Sequence, residues 1–321
     1  MNAHLLEGTG LSRHYTVSRG LLRKGTLKAL DGVSFTLAPG KTLAVVGESG
    51  CGKTTLARLV TLIEPPTAGS LSIAGMNAVA PPPDTLKALR RTVQMVFQDP
   101  YGSLNPRKKV GSLLEEPLRI NTSLGASQRR EAARAMMARV GLRQEHYGRY
   151  PHMFSGGQRQ RIAIARALML HPRVVVADEP VSALDVSIQA QIINLLQNLK
   201  KRFGLTMIFI SHDLSVTRLV SDRIMVLYLG RVVELAEKRA LFADPRHPYT
   251  QALLSAAPIP DPKAARARSR IVLEGDPPSP VNPPSGCAFR TRCPIARPRC
   301  TSEEPELRQI TGQIAAACHF A

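Results

Sequence analysis

The sequence predicts an α/β fold. Buried parallel strands form a central sheet, a polar-rich helical stretch lies between them, and a Pro- and Cys-rich extension follows. Three observations carry this. Leu43–Val46 (LAVV) is a short continuous apolar run that feeds a Gly-rich loop and then a helical pattern, one βα unit. Val174–Ala177 (VVVA) is a second such run, ending on the adjacent acids Asp178 and Glu179. Phe154–Arg161 (FSGGQRQR) sets two glycines just ahead of a strong helical pattern, Gln158–Leu170, so the chain carries two helix starts suited to an anion.

Taken in order, residues 1–40 read as strands and turns. Val33–Leu37 alternates apolar and polar, and Pro39–Gly40 ends it. Lys53–Ile63 reads as helix, Ser70–Ile73 as strand and Pro81–Pro83 as a surface loop. Residues 102–170 are helical and polar-rich, with Ser127–Leu142 amphipathic. A long helix covers Val186–Phe203, with Ile188, Ile192, Leu195, Leu196 and Leu199 at helical spacing, a cationic last turn, and Gly204 to stop it. Met207–Ile210 and Ile224–Leu229 are further strands. These elements make a main domain over residues 5–243, its helical part about 102–170. Thirteen of the 25 prolines lie beyond Asp244, a spacing that forbids long helices and central strands. Residues 244–321 therefore read as a separate, loop-rich tail.

Composition is that of a globular protein, 44% apolar and 21% charged. The longest apolar runs are far too short to span a bilayer, and MNAHLLEGTG lacks the basic start and apolar core of a signal peptide, so a cytosolic protein is expected. The balance of 43 basic against 24 acidic residues, +19, favours anionic partners without choosing between nucleotide, nucleic acid and a membrane leaflet. A reducing cytosol argues against structural disulfides among the five cysteines.

Gly47–Thr54 (GESGCGKT) fits the pattern Gly-x-x-x-x-Gly-Lys-Ser/Thr in full, between a strand and a helix. The backbone N–H groups of Gly47, Glu48, Ser49, Gly50, Cys51 and Gly52, continuing to Thr55, can surround phosphates. Lys53 can reach the β- and γ-phosphates, and the Thr54 hydroxyl can ligate Mg²⁺. Cys51 reads as a small, non-catalytic loop residue, although a helix start can activate a thiol. Asp178 and Glu179 stand at the carboxyl end of a buried strand, where ligands bind in parallel sheets. On an extended strand the two point in opposite directions, so one serves Mg²⁺ through water and the other faces an attacking water.

The phosphate loop, FSGGQ, VVVADEP, Ser182–Asp185 (SALD) and Ile210–Asp213 (ISHD) occur in the order typical of ABC-transporter ATPases, which the chain resembles over about residues 5–240. The one departure is Phe154, where many members carry Leu. The resemblance implies a P-loop NTPase core with an antiparallel β subdomain and a helical signature subdomain, and assigns roles. Glu179 is the general base and His212 the histidine that contacts the γ-phosphate. Gln98 touches Mg²⁺ or the water, with Thr54 and Asp178 completing the metal set. Tyr15 stacks on adenine. Ser155, Gly156, Gly157 and Gln158 form a signature that acts on the partner subunit's nucleotide, and Asp185 works across the dimer interface.

Four cysteines crowd the tail as C-x5-C, C-x6-C and C-x17-C, unlike the tight pairs of most zinc sites; four thiolates could hold Zn²⁺ or an iron–sulfur cluster. HPYTQALLSAAPIP and EGDPPSPVNPPSGCAFRTRCP resemble the C-terminal extension of dipeptide and oligopeptide permease ATPases, and the whole chain is most like the second ATP-binding subunit of dipeptide permeases. That resemblance implies ATP and Mg²⁺, and a 4Fe–4S cluster on Cys287, Cys293, Cys300 and Cys318. It also implies a second homologous ATPase, two membrane permease subunits and an extracytoplasmic peptide-binding protein. The place it implies is the cytoplasmic face of the inner membrane, with no nucleic acid among the partners. The alternative is a DNA-repair or chromosome-maintenance ATPase with a cysteine metal module, for which +19 would suit DNA; those chains need paired cassettes or long coiled coils, and here there is one cassette and no sustained heptad.

Overall fold

The computed structural model describes residues 4–19, 23–257 and 271–321. Two sheets organise it. In the first, β1 (Leu6–Arg19) pairs antiparallel with β2 (Arg23–Leu37) and β4 (Ala68–Ile73), and β4 with β5 (Met76–Asn77). The second has a parallel centre in the order β9-β3-β8-β7-β6, formed by β3 (Thr42–Val46), β6 (Val93–Val96), β7 (Val174–Asp178), β8 (Thr206–Ser211) and β9 (Arg223–Tyr228).

Every residue of β3, β7 and β8 is buried, as expected of strands covered on both faces. Side chains divide by alternation between the covers. Val174, Val176, Ile208 and Ile210 pack with Leu43, Val45 and the antiparallel sheet residues Leu6, Leu30 and Phe35. Val175, Ala177, Met207 and Phe209 face instead a cluster from α4 (Val110–Asn121), α5 (Ala126–Arg139), α6 (Gly156–Leu168) and α7 (Val186–Phe203). The sheet thus fixes α1 (Lys53–Val60) on one side and the helical subdomain on the other.

Helix α7 has the expected bounds: Gly204 takes the left-handed conformation at φ 63°, after Lys200, Lys201 and Arg202. Helix α1 is shorter than the expected Lys53–Ile63. The Thr61 hydroxyl turns back to the Ala57 carbonyl at 2.7 Å and Leu62 is left-handed at φ 59°, which ends the ladder at Val60. Pro83 is not loop but the first residue of α2 (Pro83–Thr92), where a missing N–H costs nothing.

The tail departs most from expectation. Part of it, residues 258–270, lies outside the described residues. The rest is not separate. β12 (Ile314–Ala316) pairs antiparallel with β10 (Arg231–Glu237), β11 (Arg308–Thr311) pairs with β12, and β10 pairs with β9, so the last strands extend the central sheet. The prolines leave this edge free. Pro248 opens the helix α10 (Pro248–Ala256), and Tyr249, Leu254, Phe289 and Ile314 share a core with Ala44, Val46 and Tyr228.

Candidate nucleotide and catalytic site

The phosphate loop joins the buried β3 to α1. Gly47 takes φ 154°, and a Cβ there would lie 2.3 Å from the Leu227 carbonyl oxygen and 2.6 Å from Cys51 Sγ. Gly52 takes φ 108°, with a Cβ position 2.4 Å from the Ala29 carbonyl. Both positions exclude any side chain. Gly52 supplies no side-chain cap, so the N–H groups that open α1 remain available to an anion. Lys53 is buried, and its ammonium donates to the Gly47 and Glu48 carbonyls at 2.8 and 3.0 Å, folded over the loop it would share with phosphates. Cys51 is buried beneath it. Burial pushes the thiol up, against the pull of Lys53.

The two acids differ sharply. Asp178 is the last residue of β7 and is buried; its Oδ1 has no hydrogen-bond partner. Burial raises its carboxyl above the usual range, opposed by the Thr54 hydroxyl. A buried acid with an orphaned oxygen beside a threonine hydroxyl fits a hard divalent cation. Glu179 is not extended, as the sequence reading assumed. It turns left-handed at φ 43°, leaving the strand, and its N–H donates to the Ile210 carbonyl at 3.0 Å. Asp178 has the Thr54 hydroxyl as its partner, while Glu179 beyond the turn meets Gln98 and His212. Such a conformation in a non-glycine residue is strained and is held here by neighbours.

Those neighbours are the residues the sequence singled out. Glu179 Oε2 accepts from Gln98 Nε2 at 3.1 Å and meets His212 Nδ1 at 3.2 Å, while Lys53 Nζ stands 4.0 Å from Oε1. Gln98 follows β6, Glu179 follows β7 and His212 follows β8: three neighbouring parallel strands deliver them to one end of the sheet. The Glu179 side chain is 15% exposed and His212 is 59% exposed, so a held carboxylate faces an open mouth.

At the second helix start, Ser155 caps α6. Its Oγ accepts from the Gln158 N–H at 3.4 Å, and Gln158 Oε1 accepts from the Ser155 N–H at 3.1 Å. This helix start is therefore less open than the sequence implied. Gly157 is buried, and a Cβ on it would meet Ile188 Cγ2 of α7 at 2.5 Å, so its lack of a side chain also serves helix packing. Ser155 is exposed, as are Ser49 and Gly50 of the phosphate loop and Asp185 at the start of α7.

Tyr15 lies on β1. Its hydroxyl donates to Glu64 and the Arg13 guanidinium covers one ring face at 4.7 Å. Of the cysteines, Cys287 and Cys293 are pushed up by burial, and the Cys287 N–H donates to the Cys300 carbonyl at 2.9 Å. Among the described residues, however, no three His, Cys, Asp or Glu side chains are gathered closely enough to hold a metal ion.

The structure also places against the loop two residues the sequence reading missed. Arg292 donates to both carboxylate oxygens of Glu48, at 2.7 and 3.1 Å, and the Tyr249 hydroxyl accepts from the Glu48 N–H at 2.8 Å. Both come from beyond residue 244, in the stretches HPYTQALLSAAPIP and EGDPPSPVNPPSGCAFRTRCP, where the sequence reading gave them no role.

The described helices include none long and apolar enough to cross a membrane. Two families match the chain: "ABC transporter" over residues 30–182 and "Oligopeptide/dipeptide transporter, C-terminal region" over residues 233–300. The dipeptide transport ATP-binding protein DppF of Escherichia coli (strain K12) is 59% identical, covering 97% of this chain and 93% of that protein. The di/tripeptide transport ATP-binding protein DppF of Pseudomonas aeruginosa (strain UCBPP-PA14) is 58% identical, covering 99% and 98%. Among solved structures, the ATP-binding cassette MJ0796, in a dimeric post-hydrolysis state bound to ADP and Pi, matches at a TM-score of 0.65 with 28% identity, covering 73% of this chain and 99% of that one. Nothing in these likenesses supports the DNA-repair alternative. The loop, the strand-end acid and its three partners thus sit in a chain that belongs to the ATP-binding subunits of the ABC transporters, in the oligopeptide and dipeptide branch.

Proposed function

We propose that this chain is the ATP-hydrolysing subunit of an ABC importer that takes up dipeptides or short peptides. The observation that carries the ATPase reading is the Glu179 carboxylate, held by Gln98 and His212 with Lys53 beside it. The cargo rests on near full-length likeness to dipeptide transport proteins.

Phosphoryl transfer asks mainly for positioning and charge neutralisation. Lys53 exchanges two carbonyls of its own loop for phosphate oxygens. Thr54 and Asp178, with Gln98 nearby, would hold Mg²⁺, which when bound neutralises charge on the phosphates. Glu179 accepts a proton from the attacking water, and the ion-dipole contacts of Gln98 and His212 orient it. Tyr15 takes the adenine. Ser155, Gly156, Gly157 and Gln158 serve the nucleotide of a facing subunit, as does Asp185, so the working unit is a head-to-tail pair with a second homologous ATPase. The pair sits on the cytoplasmic face of the membrane under two permease subunits supplied by an external peptide-binding protein.

The main domain over 5–243 and the extension over 244–321 rest on the change in texture, which the shared sheet blurs. A metal centre on Cys287, Cys293, Cys300 and Cys318, 4Fe–4S or Zn²⁺, rests on the chemistry of four thiols within the last 35 residues of the sequence. Iron and sulfide in anaerobically purified protein would identify the cluster; stoichiometric zinc without iron would reject it.

The test of the main proposal is uptake of a labelled dipeptide by proteoliposomes holding the assembled transporter. ATP-dependent uptake that disappears with Glu179→Gln is expected. Failure of this chain to co-purify with polytopic membrane subunits, together with salt-dependent DNA binding, would overturn it.

A further inference from the structure

An acid within a phosphate-binding loop is a liability, because its charge opposes the ligand. Glu48 is such an acid, one residue into the loop. The structure answers it from 244 residues away: Arg292 forks onto both Glu48 oxygens, with the arginine side chain only 7% exposed. The backbone N–H of the same residue is bound by the Tyr249 hydroxyl.

Both partners are rigidly placed. Glu234 of β10 is fully buried and accepts the N–H groups of Arg246 and His247 at 2.8 and 2.9 Å, which sets the start of α10 and hence Tyr249. Arg292 is carried by the segment between Cys287 and Cys293. Phe289 of that segment is buried edge-on against Tyr228 at 5.2 Å and packs on Tyr249 at 5.4 Å.

We propose that Arg292 and Tyr249, both from the C-terminal extension, are positioning residues for ATP binding, which neutralise Glu48 and hold the phosphate loop in its receptive shape. Neither residue takes part in hydrolysis. The extension thereby sets nucleotide affinity, while the strand-end groups set turnover. The proposal rests on Gly47–Thr54 being the phosphate site.

The experiment measures ATP affinity and steady-state kinetics on the assembled transporter. Arg292→Ala should weaken ATP binding and raise KM about tenfold, with kcat within about twofold. Tyr249→Phe, which keeps the ring, should weaken binding about threefold. The decisive variant is Glu48→Gln with Arg292→Ala. Once the acid is gone the arginine is no longer needed, so affinity should recover most of what Arg292→Ala lost. Glu48 is 30% exposed, so its carboxylate can be hydrated when unpaired and the single variant should fold.

A double variant as weak as Arg292→Ala, or an Arg292→Ala that melts earlier with unchanged affinity, would overturn the proposal and leave a structural clamp. Lys53→Ala separates the two readings. Lost ATP binding there with wild-type affinity in Arg292→Ala sinks this proposal alone; retained ATP binding in Lys53→Ala removes the phosphate-site assignment and this proposal with it.

Discussion

His212 Nδ1 and Glu179 Oε2 stand 3.2 Å apart, two side chains from the ends of adjacent parallel strands β8 and β7. Gln98 Nε2 approaches the same oxygen, which leaves Oε1 to Lys53 and to water. One carboxylate oxygen is thus used for holding, and the proposed mechanism gives the other to the attacking water.

Glu179→Gln should lower kcat in the assembled transporter by roughly 100- to 10,000-fold while ATP affinity changes little. Single-turnover hydrolysis and ATP binding measured on the same preparation check this. Unchanged turnover would remove Glu179 as the base.

His247 gives a pH signature of stability. Burial holds it well below its ordinary value, at about 4, and its Nδ1 accepts the Tyr249 N–H at 3.1 Å. The folded state therefore prefers neutral imidazole. The stability this confers is present above about pH 6.5, and is lost as pH falls from there towards 4, because the unfolded chain takes up the proton first. The loss should approach about 3 kcal/mol. Melting temperatures between pH 7 and 4 should show it, and His247→Asn, which keeps a capping side chain, should flatten the curve.

Asp178 behaves oppositely. Its carboxyl is raised by burial, so the ionised form costs stability at neutral pH, and that cost fades as pH falls through the raised value. Asp178→Asn should therefore raise the melting temperature of the nucleotide-free protein at pH 7 and weaken Mg²⁺-dependent nucleotide binding. Equal stability of the two proteins at pH 7 would contradict this account.

Gly157→Ala sets a methyl group against Ile188. It should destabilise the protein by about 1–3 kcal/mol, read as a lowered melting temperature. Adding Ile188→Ala should restore part of the loss, since the clash is between those two positions.

Much of this was legible locally. The run LAVV followed by GESGCGKTT identifies strand, phosphate loop and helix because all three occupy consecutive residues. Val174–Ala177 is apolar without interruption since both faces of β7 are covered, and Val186–Phe203 carries its own stop in Gly204. Reading Asp178 and Glu179 as alternating along an extended strand missed the left-handed turn at Glu179, whose cause is the surroundings of the residue rather than its own preference. Gly157 looked like an opening for an anion, yet its packing against Ile188 depends on where α7 lies.

By itself the sequence located the Gly-rich loop between β3 and α1, the acids at the end of β7, the stop of α7 and the family. Each is written in residues close along the chain, where backbone geometry follows from side-chain size and hydrogen-bonding capacity. Tertiary structure alone decided that Gln98, His212 and Lys53 converge on Glu179, that the last strands complete the central sheet, and that Arg292 and Tyr249 grip Glu48. Those relationships are set by which strands pair and which faces must be covered. No periodicity or spacing encodes a contact across 244 residues.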